Sequence, residues 1–174
     1  MKILLSSILV IFLMLINQAF SEQKIAFIDM DKVISTSKSG SSILKQLTDL
    51  NKKNLNFLKE EEKKFQEKET KLIAQKNILS ETDFKNKLNE FKSEIKNYNQ
   101  NRNKMLTDFN KLKIDNTNNF LNLINPILVK FSNDKEIAII LKKKNLVVAK
   151  TQLDITDEVI KIVNSEVKEF KINE

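Results

Sequence analysis

The sequence predicts an α+β chain: a small β-rich oligomerisation base with a long antiparallel α-helical coiled-coil hairpin inserted between its strands. Three observations predict it. Residues 41 to 125 contain neither Gly nor Pro, because the single Gly is Gly40 and the single Pro is Pro126. Across that stretch apolar residues recur every seven positions, the repeat of helices that pack along a narrow seam. Short apolar runs lie on both sides of it, at 25–28, 137–141 and 146–149, each the length of one strand.

The chain opens on MKILLSSILVIFLMLINQAFS. One cation (Lys2), an apolar run from Ile3 to Ile16, and small residues Ala19 and Ser21 before Glu22 are the anatomy of a cleaved signal peptide over residues 1–21. As a helix that run would reach about 21 Å, short of the roughly 30 Å hydrocarbon core. An exported chain without a single Cys fits a bacterial periplasm at least as well as a disulfide-dense extracellular module.

The base is read from both ends, residues 22–40 and 127–174. KIAFIDMDKVI gives a strand followed by a short helix capped by Asp31. EIAIILKKKNLVVAK gives two strands joined through KKKN as a hairpin, and LDITDEVIKIV a closing helix capped by Asp154 or Thr156, with Ile155, Val159, Ile162 and Val163 on one face. Three short strands bury little on their own, which favours sharing the base between copies.

Residues 41–126 form the arm. Leu44, Asn51, Leu58, Phe65, Leu72 and Leu79 occupy one heptad position of its first half. Phe84, Phe91, Tyr98, Met105 and Leu112 do so in the second, accompanied by Leu88, Ile95, Arg102 and Phe109. The first series would continue at Asn86 and Ser93, so a single rod breaks its stripe. A reversal around Ser80–Asp83 instead pairs Leu79 with Phe84, Leu72 with Phe91, Phe65 with Tyr98 and Leu58 with Met105. Ser80 and Asp83 supply the cap that a turn without Gly needs.

The companion series of the first half, Leu47, Asn54, Glu61, Lys68 and Gln75, is mostly polar, so the distal seam is thin and the arms are expected to be mobile. In this register Glu61 faces Arg102, the only Arg. Phe57 and Phe120 fall outside the seam and read either as packing or as client-facing side chains. Arms of about forty residues would reach about 60 Å.

Composition excludes much chemistry. With no His and no Cys there is no imidazole base, thiolate nucleophile or Cys/His zinc site, and one Gly is too few for a phosphate-cradling loop. No cofactor and no enzymatic activity are expected. The acidic cluster Glu60–Glu61–Glu62 sits among lysines at helical spacing and reads as a solvated face. A net charge of +7 points to acidic partners such as anionic lipid headgroups or polyanionic chains, and no nucleic-acid-reading motif accompanies it.

The order KIAFIDMDKVISTSKSG, then charged heptads in a long hairpin, then NPILVKFSNDKEIAIILKKKNLVVAKTQLDITDEVIKIVN resembles the Skp/OmpH family of periplasmic chaperones over essentially the whole chain after residue 21. The specific pieces are IAFIDMDKVI and LDITDEVIKIVN; between them only the coiled-coil pattern matches. The resemblance implies a homotrimer whose hairpin arms hang from the base and enclose unfolded outer-membrane proteins, an ATP-independent holdase. It implies an assembly core of Ile25, Phe27, Ile139, Val147, Ile155 and Val159, with Gly40 and Ser41 as the joint of the arm. Some members bind lipopolysaccharide, but no residues here match that cluster. An envelope coiled-coil spacer or tether without client binding is the alternative.

Overall fold

The computed structural model describes residues 24–172; the signal-peptide segment lies outside them. Strand β1 (Lys24–Ile28) leads into helix α1 (Met30–Thr36), which is capped by Asp29, whose carboxylate accepts from the Lys32 N–H. The expected cap at Asp31 is therefore displaced by two residues: Asp29 has the extended backbone a cap requires, and Asp31 already lies in the first turn.

Helix α2 (Lys38–Ala74) starts at once, with Ser37 as its cap. Gly40 lies inside this helix, where a Cβ would sit 2.2 Å from the Ile34 carbonyl oxygen, so it marks a close approach of α1 to α2. The chain reverses through Gln75–Leu79, and Ser80 caps helix α3 (Glu81–Asp134) by accepting from the Asp83 N–H at 3.1 Å while donating to Asp83 Oδ2 at 2.7 Å. The serine–aspartate pair satisfies a free N–H at the start of the helix, and no residue of the reversal takes the positive φ that would call for Gly. Pro126 does not end α3, which runs on to Asp134 without the one backbone donor that Pro lacks.

Strand β2 (Ile137–Lys142) then pairs with β1 in parallel, with Ile25 opposite Ile139 and Phe27 opposite Leu141. This corrects the expected antiparallel pairing of 137–141 with 146–149. Two parallel strands require a long crossover, and here the whole helical hairpin is that crossover. The KKKN segment forms a short 3₁₀ turn, Lys143–Asn145, and Lys143 turns back to Asp29 at 3.1 Å. Val147 and Val148 are fully or almost fully exposed and belong to no strand. The third line of backbone beside β1 comes from later in the chain, where the Ile155 N–H donates to the Phe27 carbonyl at 3.0 Å.

Helix α4 (Thr156–Glu166) closes the base. The cap position is Ile155, whose side chain makes no cap bond, so neither expected cap residue holds it; they flank it, Asp154 accepting from both the N–H and the hydroxyl of Thr156, and the Thr156 hydroxyl accepting from the Asp29 N–H at 2.9 Å. The core sits where α1, the root of α2, the last third of α3 and α4 meet. Phe120 and Ile124 of α3, Val33 of α1 and Val159 and Val163 of α4 are its most enclosed members. Phe120, one of the two aromatics outside the seam, is thus core packing.

Candidate functional site

The arm is an amphipathic hairpin whose sheltered stripe is one to two residues wide. Leu58 is buried, and Phe65, Leu72, Leu79, Phe84, Phe91, Tyr98 and Met105 are half-buried, each flanked by exposed neighbours. The Phe65 ring lies 5.2 Å from Tyr98 and 6.2 Å from Phe91, centroid to centroid, in tilted pairs that suit the aromatic quadrupole. The Tyr98 hydroxyl reaches Glu62 Oε1 at 3.1 Å and the Leu58 carbonyl at 3.3 Å across the hairpin, donating to one at a time. Desolvation, and then the Glu62 carboxylate, hold this phenol above its ordinary pKa.

Polar rungs flank the stripe. Lys68 pairs with Glu94 at 2.6 Å, and Lys87 donates to Gln75 at 3.0 Å. Each is exposed and contributes about 0–1 kcal/mol at most. The expected Glu61–Arg102 ion pair is not formed; Glu61 instead pairs with Lys64, one turn on, and raises that lysine's pKa. A neighbour on the same helix needs no closure of the two arms, so it wins. Glu61, Arg102, Phe65 and Met105 all line one open cleft of about 330 Å³ between the arms. Among the described residues no group of acidic side chains converges as a cation site.

Several apolar side chains lie off this stripe and stay exposed. Phe57 is half exposed, and Leu55, Ile73, Ile78, Leu106 and Ile114 are exposed along the arm. The sequence carries their signal, since they are apolar residues off the heptad seam, but only the hairpin shows that they stay exposed among the described residues.

In the base, the residues expected to form an assembly core divide into two groups. Phe27, Ile155 and Val159 are buried within this chain. Ile25 and Ile139 are about half exposed, and Val147 stands wholly free; with Leu141 and Val148 they leave an apolar fringe on the sheet and the segment after it.

Residues 24–163 match the family model for OmpH-like outer membrane protein. The chain belongs to the OmpH-like family. Among solved structures, an OmpH-like outer membrane chaperone of Caulobacter crescentus CB15, so described, shares the fold with a TM-score of 0.79 at 11% identity, over 89% of this chain and 92% of that one. No curated protein matches the sequence. At that identity the likeness is one of architecture, so the side chains of this OmpH-like protein have to be read from its own geometry.

That geometry ties the two chain ends together. Asp29 Oδ2 accepts from Lys143, and Lys32 pairs with Asp157 at 2.6 Å. Hydrogen bonding from the Lys32 N–H first, and then from Lys143, holds the Asp29 carboxyl below its ordinary value, while Asp157 raises Lys32. In the same base, Gln46 of α2 bonds the C-terminal segment through both atoms of its amide. Gln46, Phe170 and Ile172 were not singled out by sequence reasoning, although the alternation in EFKI is visible there.

Proposed function

We propose that this protein is an ATP-independent periplasmic holdase for unfolded outer-membrane proteins, working as a homotrimer whose hairpin arms surround the client. Family membership supports the chaperone role. The observation that carries the holdase reading is the arm itself: a thin seam that holds two helices together, with Leu55, Phe57, Ile73, Ile78, Leu106 and Ile114 left unburied along it. An unfolded chain is held by many weak apolar contacts, each contributing a fraction of the roughly 1.5–3 kcal/mol of full burial, and such contacts yield when membrane insertion offers more.

In this reading the exposed members of the assembly core, Ile25, Ile139 and Val147, face other copies, while Phe27, Ile155 and Val159 hold the base that presents them. The seam from Leu58 to Met105 keeps each arm paired yet adjustable. Residues 1–21 direct export, and the basic surface favours acidic lipid or lipopolysaccharide nearby. No enzymatic step is involved.

The test is the mass of the purified protein in solution, alone and with a denatured outer-membrane β-barrel protein. The expected result is a trimer that takes up the client and keeps it soluble at stoichiometric amounts. A trimer that leaves the barrel protein to aggregate would move the reading to an envelope spacer.

A further inference from the structure

After α4 ends at Glu166 the chain does not leave the fold. Residues 167–172 form neither helix nor strand and lie against the arm root, where Val167, Phe170 and Ile172 pack against the core cluster to which Ile43 and Leu47 of α2 belong. Lys168, Glu169 and Lys171 between them are exposed. The segment lies beyond the residues matched by the family model.

Gln46, flanked on α2 by Ile43 and Leu47, fixes this strap through main-chain atoms alone. Its Nε2 donates to the Phe170 carbonyl at 3.0 Å, and its Oε1 accepts from the Ile172 N–H at 3.1 Å. A primary amide presents the same donor and acceptor as a peptide group, so Gln46 acts as one residue of a neighbouring strand. Ser42 keeps the amide oriented, its hydroxyl 3.3 Å from Nε2. Recognition of this kind reads the backbone and the position of apolar side chains and is indifferent to which residues carry them. Beside the start of the strap an open cleft of about 540 Å³, lined by Leu123, Pro126, Ile127, Lys130 and Val167, extends the apolar surface along α3 beyond what the strap fills.

We propose that the arm root is an extended-peptide site, occupied in cis by the strap, and that its partner is a segment of unfolded chain with apolar side chains at alternate positions. Phe170–Lys171–Ile172 has the period-two pattern of strands that will face lipid on one side, which is the pattern of an outer-membrane barrel. The partner rests on the chaperone reading; the site does not. Being tethered, the strap competes at an effective concentration of the order of millimolar, so it excludes weak segments and yields to a long client that also engages the arms.

The test uses the full chain and a labelled peptide with the sequence of residues 166–172. In Phe170→Asp the strap loses its aromatic anchor, and the free peptide is expected to bind at least about tenfold more tightly than to the unaltered protein, consistent with the loss of one partly buried aromatic from the competitor. Adding Gln46→Ala to that variant is expected to remove the gain. Equal binding to the unaltered and Phe170→Asp proteins, or a gain that survives Gln46→Ala, overturns the site. In the unaltered protein, hydrogen exchange at the Ile172 N–H is expected to speed up when a denatured outer-membrane β-barrel protein is added, which keeps the question open to measurement even if Phe170→Asp folds poorly. Peptide binding that the barrel protein neither displaces nor matches with faster Ile172 exchange leaves the site standing and overturns the client as its partner. Capture of the barrel protein with no change at Ile172 leaves the holdase reading intact and overturns this one.

Discussion

The base and the arm are built from the same kinds of residue and differ in how many partners each apolar side chain finds. Phe120 in the base is 1% exposed, enclosed by helices from both halves of the chain, whereas Phe57 on the arm, with only one partner helix available, is 50% exposed. A two-helix hairpin offers each side chain one facing helix; the base surrounds it with four helices and a sheet. Stability therefore concentrates in the base, and the arm is free to open locally without unfolding the whole.

The sharpest way to break this comparison is to make the same kind of deletion in both regions. Phe120→Ala should cost about 3–5 kcal/mol in urea unfolding, as an enclosed aromatic leaves a cavity that four packed helices cannot close. Gly40→Ala comes next, at about 1–3 kcal/mol, because its Cβ would meet the Ile34 backbone oxygen and force α1 away from α2. Leu72→Ala, in the half-buried seam, should cost only about 1 kcal/mol and speed amide exchange in the distal arm while leaving the base amides unchanged. A Leu72→Ala protein as unstable as Phe120→Ala would show that arm and base unfold as one unit. Tyr98→Phe, which removes a single partly exposed hydrogen bond, should cost about 0.5–1 kcal/mol and be visible only in arm exchange.

A final contrast is in acid. Asp29 in the base is held below its ordinary 3.8, so the folded state takes up its proton less readily than the unfolded one. Its contribution is fully present above about pH 4 and is lost as pH falls through the lowered value. Asp29→Asn should flatten the acid limb of the stability profile over that window.

Much of this was legible in the sequence because it depends on local rules. The sevens placed the seam, the phase jump between Leu79 and Phe84 announced a reversal, which the structure sets at Gln75–Leu79, a few residues before the expected Ser80–Asp83, and those two residues form the cap of the helix that follows. Strand pairing was not legible in the same way. Ile137–Leu141 and Leu146–Ala149 have equally good strand composition, and a four-residue polar turn between them reads as a hairpin. What decides between antiparallel and parallel is where β1 lies when the chain returns, and that is set by a crossover more than a hundred residues long. Glu61 likewise has a good partner in the register, Arg102, and a nearer one on its own helix.

Taken by itself, the sequence determined the long Gly- and Pro-free arm, its narrow stripe, the place where it turns, and the absence of imidazole or thiol chemistry, since periodicity and composition act over a few neighbouring residues. Only the tertiary structure decided that β1 and β2 run parallel, that Phe120 is core while Phe57 is not, that Val147 is fully exposed among the described residues, and that Gln46 clasps the strap. Each of those outcomes depends on which distant surface arrives beside a residue, and contacts between distant segments are fixed by the packing of the whole base and not by the residues on either side in the chain.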